Sequence, residues 1–188
     1  MTALSREARI LEQRRAGVLL HPTSLPGRQH LGDIGSEARH FLHFMADSGL
    51  SVWQMLPLGP THLDGSPYQS PSAFAGNPEL IDLQWLVEQQ WLDPQQLSYE
   101  LTAQRHSDLL LQAAQNFFTR ADANWQKRFD DFIRHSEHWL IDFSLYMALK
   151  QAHHGSAWVD WPDAYRSRQA EALAAATEQY AEQIKTIH

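Results

Sequence analysis

From residue 66 to residue 78 the chain reads Ser-Pro-Tyr-Gln-Ser-Pro-Ser-Ala-Phe-Ala-Gly-Asn-Pro. These residue types recognise ligands rather than break bonds. Hydroxyls and amides donate and accept hydrogen bonds, and a tyrosine ring covers an apolar face while giving up only two side-chain torsions. A polyhydroxylated, flat-faced ligand is gripped by such a set, with Tyr68 over its apolar face and Ser66, Gln69, Ser70, Ser72 and Asn77 exchanging hydrogen bonds with it. Prolines at 60, 67, 71 and 78 fix their own φ and bias Ser66, Ser70 and Asn77 towards extended backbone, which holds the side chains out. The same composition also describes a surface loop packed by its own Tyr and Phe, and Asn77 is equally an amide bracing the turn before Pro78.

Other constellations offer less. His40 and His43, like His135 and His138, share a helix face without forming an H-E-x-x-H arrangement, so they read as solvated histidines and no metal or cofactor is expected. Asp130 and Asp131 are adjacent on a helix and diverge, and Asp160 and Asp163 lie in a Trp/Pro loop away from the strand ends. Both pairs read as surface charge. Asp33, in a glycine-bearing turn, is placed to accept backbone N–H bonds. Ser24 has no His and Asp partner set, and the glycines form neither G-x-G-x-x-G nor Gly-Lys-Ser, so a hydrolase triad and a nucleotide site are both unsupported.

The elements that must hold the 66–78 loop begin with two apolar runs. Ala16-Gly-Val-Leu-Leu20, stopped by His21-Pro22, and Leu50 to Leu58 both read as strands buried on both faces. Between them Ser36 caps a predicted helix over 37–48, with Ala38, Phe41, Leu42 and Met45 on one stripe and Gly49 as its stop. Strand, helix, strand in that order predicts a parallel pair with a right-handed crossover. Beyond residue 82 the pattern is helical: a short helix from Trp85 to Trp91 ended by Asp93-Pro94, then Leu101–Arg120, Trp125–His153 and a last helix from Ala164 onward. The broad apolar face of the third carries Phe129, Phe132, Ile133, Leu140, Phe143, Met147 and Leu149. The predicted organisation is a lead-in over 1–15, two β/α units over 16–82 and a mainly helical subdomain over 83–188.

With 188 residues, 43% hydrophobic and 20% charged, and with seven Trp and eight Phe, the chain has material for a packed core. A net charge of −7 argues against a nucleic-acid or anionic-membrane partner, either of which calls for clustered Lys and Arg. The absence of Cys removes thiol chemistry and agrees with a reducing compartment; with no apolar run of membrane-spanning length, a soluble cytoplasmic protein is the expectation.

Several ordered blocks carry a family resemblance. Arg15-Ala-Gly-Val-Leu-Leu-His-Pro-Thr-Ser-Leu-Pro-Gly27, Leu31-Gly-Asp-Ile-Gly35, Trp53-Gln-Met-Leu-Pro-Leu-Gly-Pro-Thr61, Ser66-Pro-Tyr-Gln-Ser70 and Phe74-Ala-Gly-Asn-Pro78 closely resemble the N-terminal part of the amylomaltases, the 4-α-glucanotransferases or disproportionating enzymes. Trp139 to Lys150 and Trp158 to Pro162 are similar to the same family, so the resemblance covers the chain from about Arg15 onward. It implies an α/β fold, the N-terminal part of a (β/α)8 TIM barrel with a helical insertion. A closed barrel takes roughly 250 residues, so two strands and a helical block read as an incomplete barrel, the front of a longer protein.

The activity implied is a retaining transfer of α-1,4-glucan segments between maltodextrins or starch-type chains, with an Asp nucleophile and a Glu acid/base. In the family those carboxylates sit on later strands, so no residue of this chain is assigned a catalytic role. By resemblance Tyr68 stacks on the sugar near the scissile bond, Ser66 and Asn77 are hydrogen-bonding candidates, and the strand-end segment His21 to Ser24 stands beside the substrate. Where the family has Gly and an aromatic after Pro60-Thr61, this chain has His62-Leu63. A catalytically inactive glucan-binding or regulatory module is the alternative reading.

Overall fold

A computed structural model describes residues 14–27, 31–62 and 65–188. The chain divides into two compact units, one ending at Asp108 and the other Leu109–His188. The predicted lead-in over 1–15 lies almost wholly outside the described residues.

In the first unit, β1 (Gly17–Leu19) and β2 (Val52–Gln54) pair in parallel, with Val18 opposite Trp53. Flanking bonds lengthen the ladder: Ser51 N donates to Ala16 O at 2.9 Å and Leu20 N to Gln54 O at 3.0 Å. Crossing between them is α1 (Ser36–Asp47), which buries Ala38 and Met45 and meets Trp53 through the edge of Phe41, ring centroids 5.0 Å apart. Gly49 stops the helix in a left-handed conformation, φ 71°, which an L side chain adopts only with strain. At the other end Ser36 is not the cap. Gly35 holds that position and its N–H donates to Asp33 Oδ1 at 2.9 Å, so the predicted acceptor role of Asp33 supplies the turn that starts the helix.

The strands are not buried on both faces as their apolar composition predicts. Only the Val18/Trp53 side is half-buried; Leu19 and Val52, which point the other way, are 58% and 40% exposed. The physical reason is that α1 covers one side of a sheet that has two strands among the described residues.

The rest of the first unit caps and packs this pair. Asn77 and Asp82 start the 3-10 turn Pro78–Leu80 and α2 (Leu83–Glu88) by accepting from Glu79 N at 3.0 Å and Gln84 N at 2.9 Å. Leu80, Leu83, Leu86, Trp91, Leu92 and Leu101 form the buried apolar set. Asp93-Pro94 starts a 3-10 segment, Pro94–Ser98, closed by a capping box with Gln96.

The unit boundary falls within α3 (Ala103–Arg120). In the second unit α4 (Ala123–Ala152) is capped by Asp122, which accepts from Trp125 N at 2.8 Å. Phe117, Phe118 and Phe129 meet edge to face with centroids 5.4–5.5 Å apart. Leu145, Leu149, Trp161 and Ala176 make the core, and Tyr146, Tyr165, Leu173, Tyr180 and Ile184 pack against it. Of the predicted apolar face, Leu140 and Leu149 are buried, whereas Phe132 is 42% exposed and the small Ser144 and Ala148 are buried instead. The single last helix predicted from Ala164 is three: α5 (Asp163–Arg166), α6 (Ala170–Gln179) and α7 (Ala181–Ile187). Arg168 at φ 53° and Tyr180 at φ −105° interrupt it, because Trp161 and Ile184 must both reach the same core.

Candidate functional site

Parallel pairing sends β1 and β2 to the same end of the sheet, which brings the segment starting at His21 and the loop starting at Gly59 side by side. Open parallel sheets bind ligands outside the carboxyl ends of their strands. A specific bond joins the two segments here. His21 Nε2 lies 3.4 Å from the Pro57 carbonyl, which only accepts, so Nε2 carries the proton. Nδ1 is then the acceptor, 2.7 Å from Thr23 Oγ1 and 3.4 Å from Thr23 N, and it caps the 3-10 turn Pro22–Ser24.

The 59–78 loop is built on its own hydroxyls. Ser70 Oγ donates to Ser72 O at 2.7 Å, and Ser72 Oγ accepts from both Phe74 N and Ala75 N at 3.1 Å. Asn77 N donates to Leu58 O at 2.9 Å, closing the base. Against this ladder stands Gly59, where an added Cβ would lie 2.6 Å from Ser70 Oγ and 3.1 Å from Ser72 O, so a side chain here would crowd the Ser70–Ser72 bond. The partners Pro57 and Gly59 were not among the residues picked out by type; a glycine set between two prolines was the available signal.

This geometry sorts the expected ligand contacts. Tyr68 stands at the loop's tip, 74% exposed. Ser66 is half-buried two residues before it, and its carbonyl accepts from Gln69 N at 3.2 Å. Gln69 is exposed, while the hydroxyls of Ser70 and Ser72 are occupied by the loop's own backbone. Asn77 is buried, with its side-chain oxygen in the turn cap; among the described residues its Nδ2 group is taken by no acceptor.

Carboxylates gather elsewhere in the unit. A carbon added at Gly35 would sit 2.6 Å from both Asp33 Oδ1 and Asp82 Oδ2, which measures how closely the two groups approach. Burial raises the Asp33 pKa above its ordinary value and the charge of Asp82 raises it further, against the Gly35 N–H and Arg39, which lower it. A cleft of about 320 Å³ lined by Ile34, Arg39, Leu80, Ile81, Asp82 and Trp85 adjoins this pair. Asp131 and Asp163 pair with Arg134 and Arg166 on the helices. Among the described residues no group of three or more His, Asp or Glu is placed to hold a metal, and no helix is long and apolar enough to cross a membrane.

The family model of glycoside hydrolase family 77, described as 4-alpha-glucanotransferase, matches residues 20–188. The chain belongs to the 4-alpha-glucanotransferase family. Among the 4-alpha-glucanotransferases it resembles, that of Thermus thermophilus is 43% identical over 178 residues, 91% of this chain and 36% of the relative. That of Synechocystis is 41% identical over 175 residues, 87% of this chain and 35% of the relative. The chain thus spans about a third of the relatives it matches. Among solved structures, an amylomaltase from Streptococcus agalactiae in complex with acarbose superimposes with a TM-score of 0.87 at 32% identity, covering 93% of this chain and 37% of that one.

Proposed function

We propose that this chain supplies one wall of the sugar site of a 4-alpha-glucanotransferase, which transfers α-1,4-glucan segments between maltodextrins. The observation that carries the reading is the pairing of an exposed Tyr68 with two strand-end segments locked together through His21, in a chain of this family. In this reading β1, α1 and β2 open an α/β barrel and the helices from residue 83 onward are an insertion in its chain, which is how the domains 16–82 and 83–188 are divided.

Each candidate has a chemical part. Tyr68 stacks its ring on an apolar sugar face. The Ser66 hydroxyl and the Asn77 Nδ2 group hydrogen-bond the ring hydroxyls from the two ends of the loop. His21 fixes the spacing of the walls and stands beside the substrate. The reaction is a retaining double displacement: a carboxylate takes the glucosyl group as a covalent ester while an acid protonates the departing sugar, and an acceptor hydroxyl, deprotonated by the same group, then takes it. Those carboxylates belong to the portion of the family outside this chain's match, so the chain binds and positions. A cytoplasmic setting belongs to the same proposal.

The test is a chimera in which this chain replaces the matched third of the Thermus relative, assayed by maltotriose disproportionation. Glucose and longer maltodextrins are expected, with Tyr68→Ala lowering kcat/KM by about tenfold. A folded chimera that binds maltodextrin and transfers nothing favours the inactive glucan-binding module, and one that does neither overturns the reading.

A further inference from the structure

Asp33 lies at the centre of a short strap bonded to both segments of the candidate sugar site. On one side of it Gly32 N donates to Thr23 O at 3.0 Å, in the turn that His21 caps. On the other side Ile34 N donates to Leu80 O at 3.0 Å, and Leu80 N donates in turn to Asn77 O at 3.1 Å, at the base of the Tyr68 loop. We propose that Asp33 and Asp82 are positioning residues for maltodextrin, a proton on their carboxyl pair closing this strap and tightening the hold of the two segments on the sugar. The inference rests on the sugar-wall reading above and adds a regulator to it.

The geometry supplies the mechanism. Asp33 Oδ1 accepts from Gly35 N and Asp82 Oδ1 from Gln84 N, both at 2.9 Å, so each carboxyl is pinned at the start of a helix, α1 and α2 respectively. Asp82 Oδ2 turns back onto Gly35, whose missing side chain leaves room for it: a carbon there would lie 2.6 Å from this oxygen and from Asp33 Oδ1 alike. Two carboxylates held so close do not both ionise without repulsion. Burial first, then the Asp82 charge and last Glu37 raise the Asp33 pKa above its ordinary value, while the Gly35 N–H and Arg39 lower it. Glu37 in turn stands 3.3 Å from His40 Nδ1. With its proton the pair carries one charge and the strap stays shut. Once Asp33 ionises, its repulsion from Asp82 acts against the Ile34–Leu80 bond, and the bases of the two segments part. The cleft of about 320 Å³ lined by Arg39 and Asp82 gives water access to the pair, so its proton exchanges with solvent.

The experiment titrates the isotopically labelled chain with maltodextrin from about pH 7 to about pH 4, following the amide resonances and the Asp33 carboxyl carbon. Affinity is expected to rise roughly threefold as the pair takes up its proton, and by linkage bound maltodextrin moves the Asp33 midpoint upward by about half a pH unit. Without sugar, the amides of Thr23, Gly32, Ile34 and Leu80 are expected to shift with that same midpoint. Asp33→Asn and Asp82→Asn each keep an acceptor at the helix start and remove the like-charge pair, and both are expected to hold the tighter affinity across the whole range. A role confined to holding the fold together would alter thermal melts in these variants and leave the pH profile of affinity unchanged. A profile that survives Asp33→Asn belongs to His21 or another group and overturns the proposal, as does an Asp33 midpoint that maltodextrin does not move. If maltodextrin binds at no pH, the sugar-wall reading fails, and the sugar-free shifts decide the strap by themselves: amides that ignore the Asp33 midpoint overturn it.

Discussion

The indole Nε1 of Trp53 donates to the Leu20 carbonyl at 2.7 Å, and the same tryptophan meets Phe41 edge-on. One side chain therefore ties β2 to the end of β1 and both to α1, immediately before His21. Trp53→Phe keeps an aromatic ring and removes the donor. The expected loss is about 1–2 kcal/mol in urea denaturation, with faster amide exchange at residues 17–21.

Gly59→Ala tests the brace under the Tyr68 loop. The added methyl meets Ser70 Oγ and crowds Ser72 O, so the Ser70–Ser72 bond or the loop backbone gives way, at a cost of about 1–3 kcal/mol. Ser70→Ala removes the donor to Ser72 O without creating a clash and should cost about 1 kcal/mol. Exchange at Phe74 and Ala75 is the readout, and it rises more in Gly59→Ala than in Ser70→Ala.

Two groups give the units opposite responses to pH. Asp33 has its pKa raised above an ordinary value of 3.8, first by burial, so the folded form holds the proton more tightly than the unfolded form. Stability it contributes is present in acid and is lost as pH rises through the folded value. Asp33→Asn keeps an acceptor for Gly35 N and should flatten that slope.

In the second unit His188 Nε2 lies 3.0 Å from the buried Ser144 Oγ, which itself donates to Ile141 O at 3.1 Å. Burial lowers the His188 pKa below its ordinary 6.5, so the unfolded chain binds the proton first as pH falls. Stability is then full above pH 6.5 and declines as pH falls through the folded value. His188→Gln, which can still donate to Ser144, should lose this dependence in thermal melts across pH 7 to 5.

The sequence was readable where a local pattern and its tertiary setting agree. The i, i+3, i+4, i+7 stripe and Gly49 place α1 within one residue of where it lies, and the two apolar runs around it contain the parallel strands. Burial was misread because an apolar run reports what a strand suits rather than what covers it, and Leu19 shows the difference. Alanine-rich composition likewise predicts one continuous helix after Ala164, since helix propensity is blind to the turn that Trp161 and Ile184 impose. At the candidate site, residue type singled out Tyr68, Ser66 and Asn77, and strand-end position singled out His21, but neither indicated which hydroxyls the loop's own backbone would occupy. Whether a serine hydroxyl faces a ligand or its own backbone depends on φ and ψ two residues away, as Ser70 and Ser72 illustrate.

Maltodextrin titration of the isotopically labelled chain, followed through its amide resonances, tests the sugar wall most directly. The account predicts shifts at residues 21–24 and 66–77 that vanish in Tyr68→Ala, a substitution that should leave stability within about 0.5 kcal/mol because the ring is exposed. Shifts confined to the Leu109–His188 unit, or shifts in the loop that survive Tyr68→Ala unchanged, would contradict it.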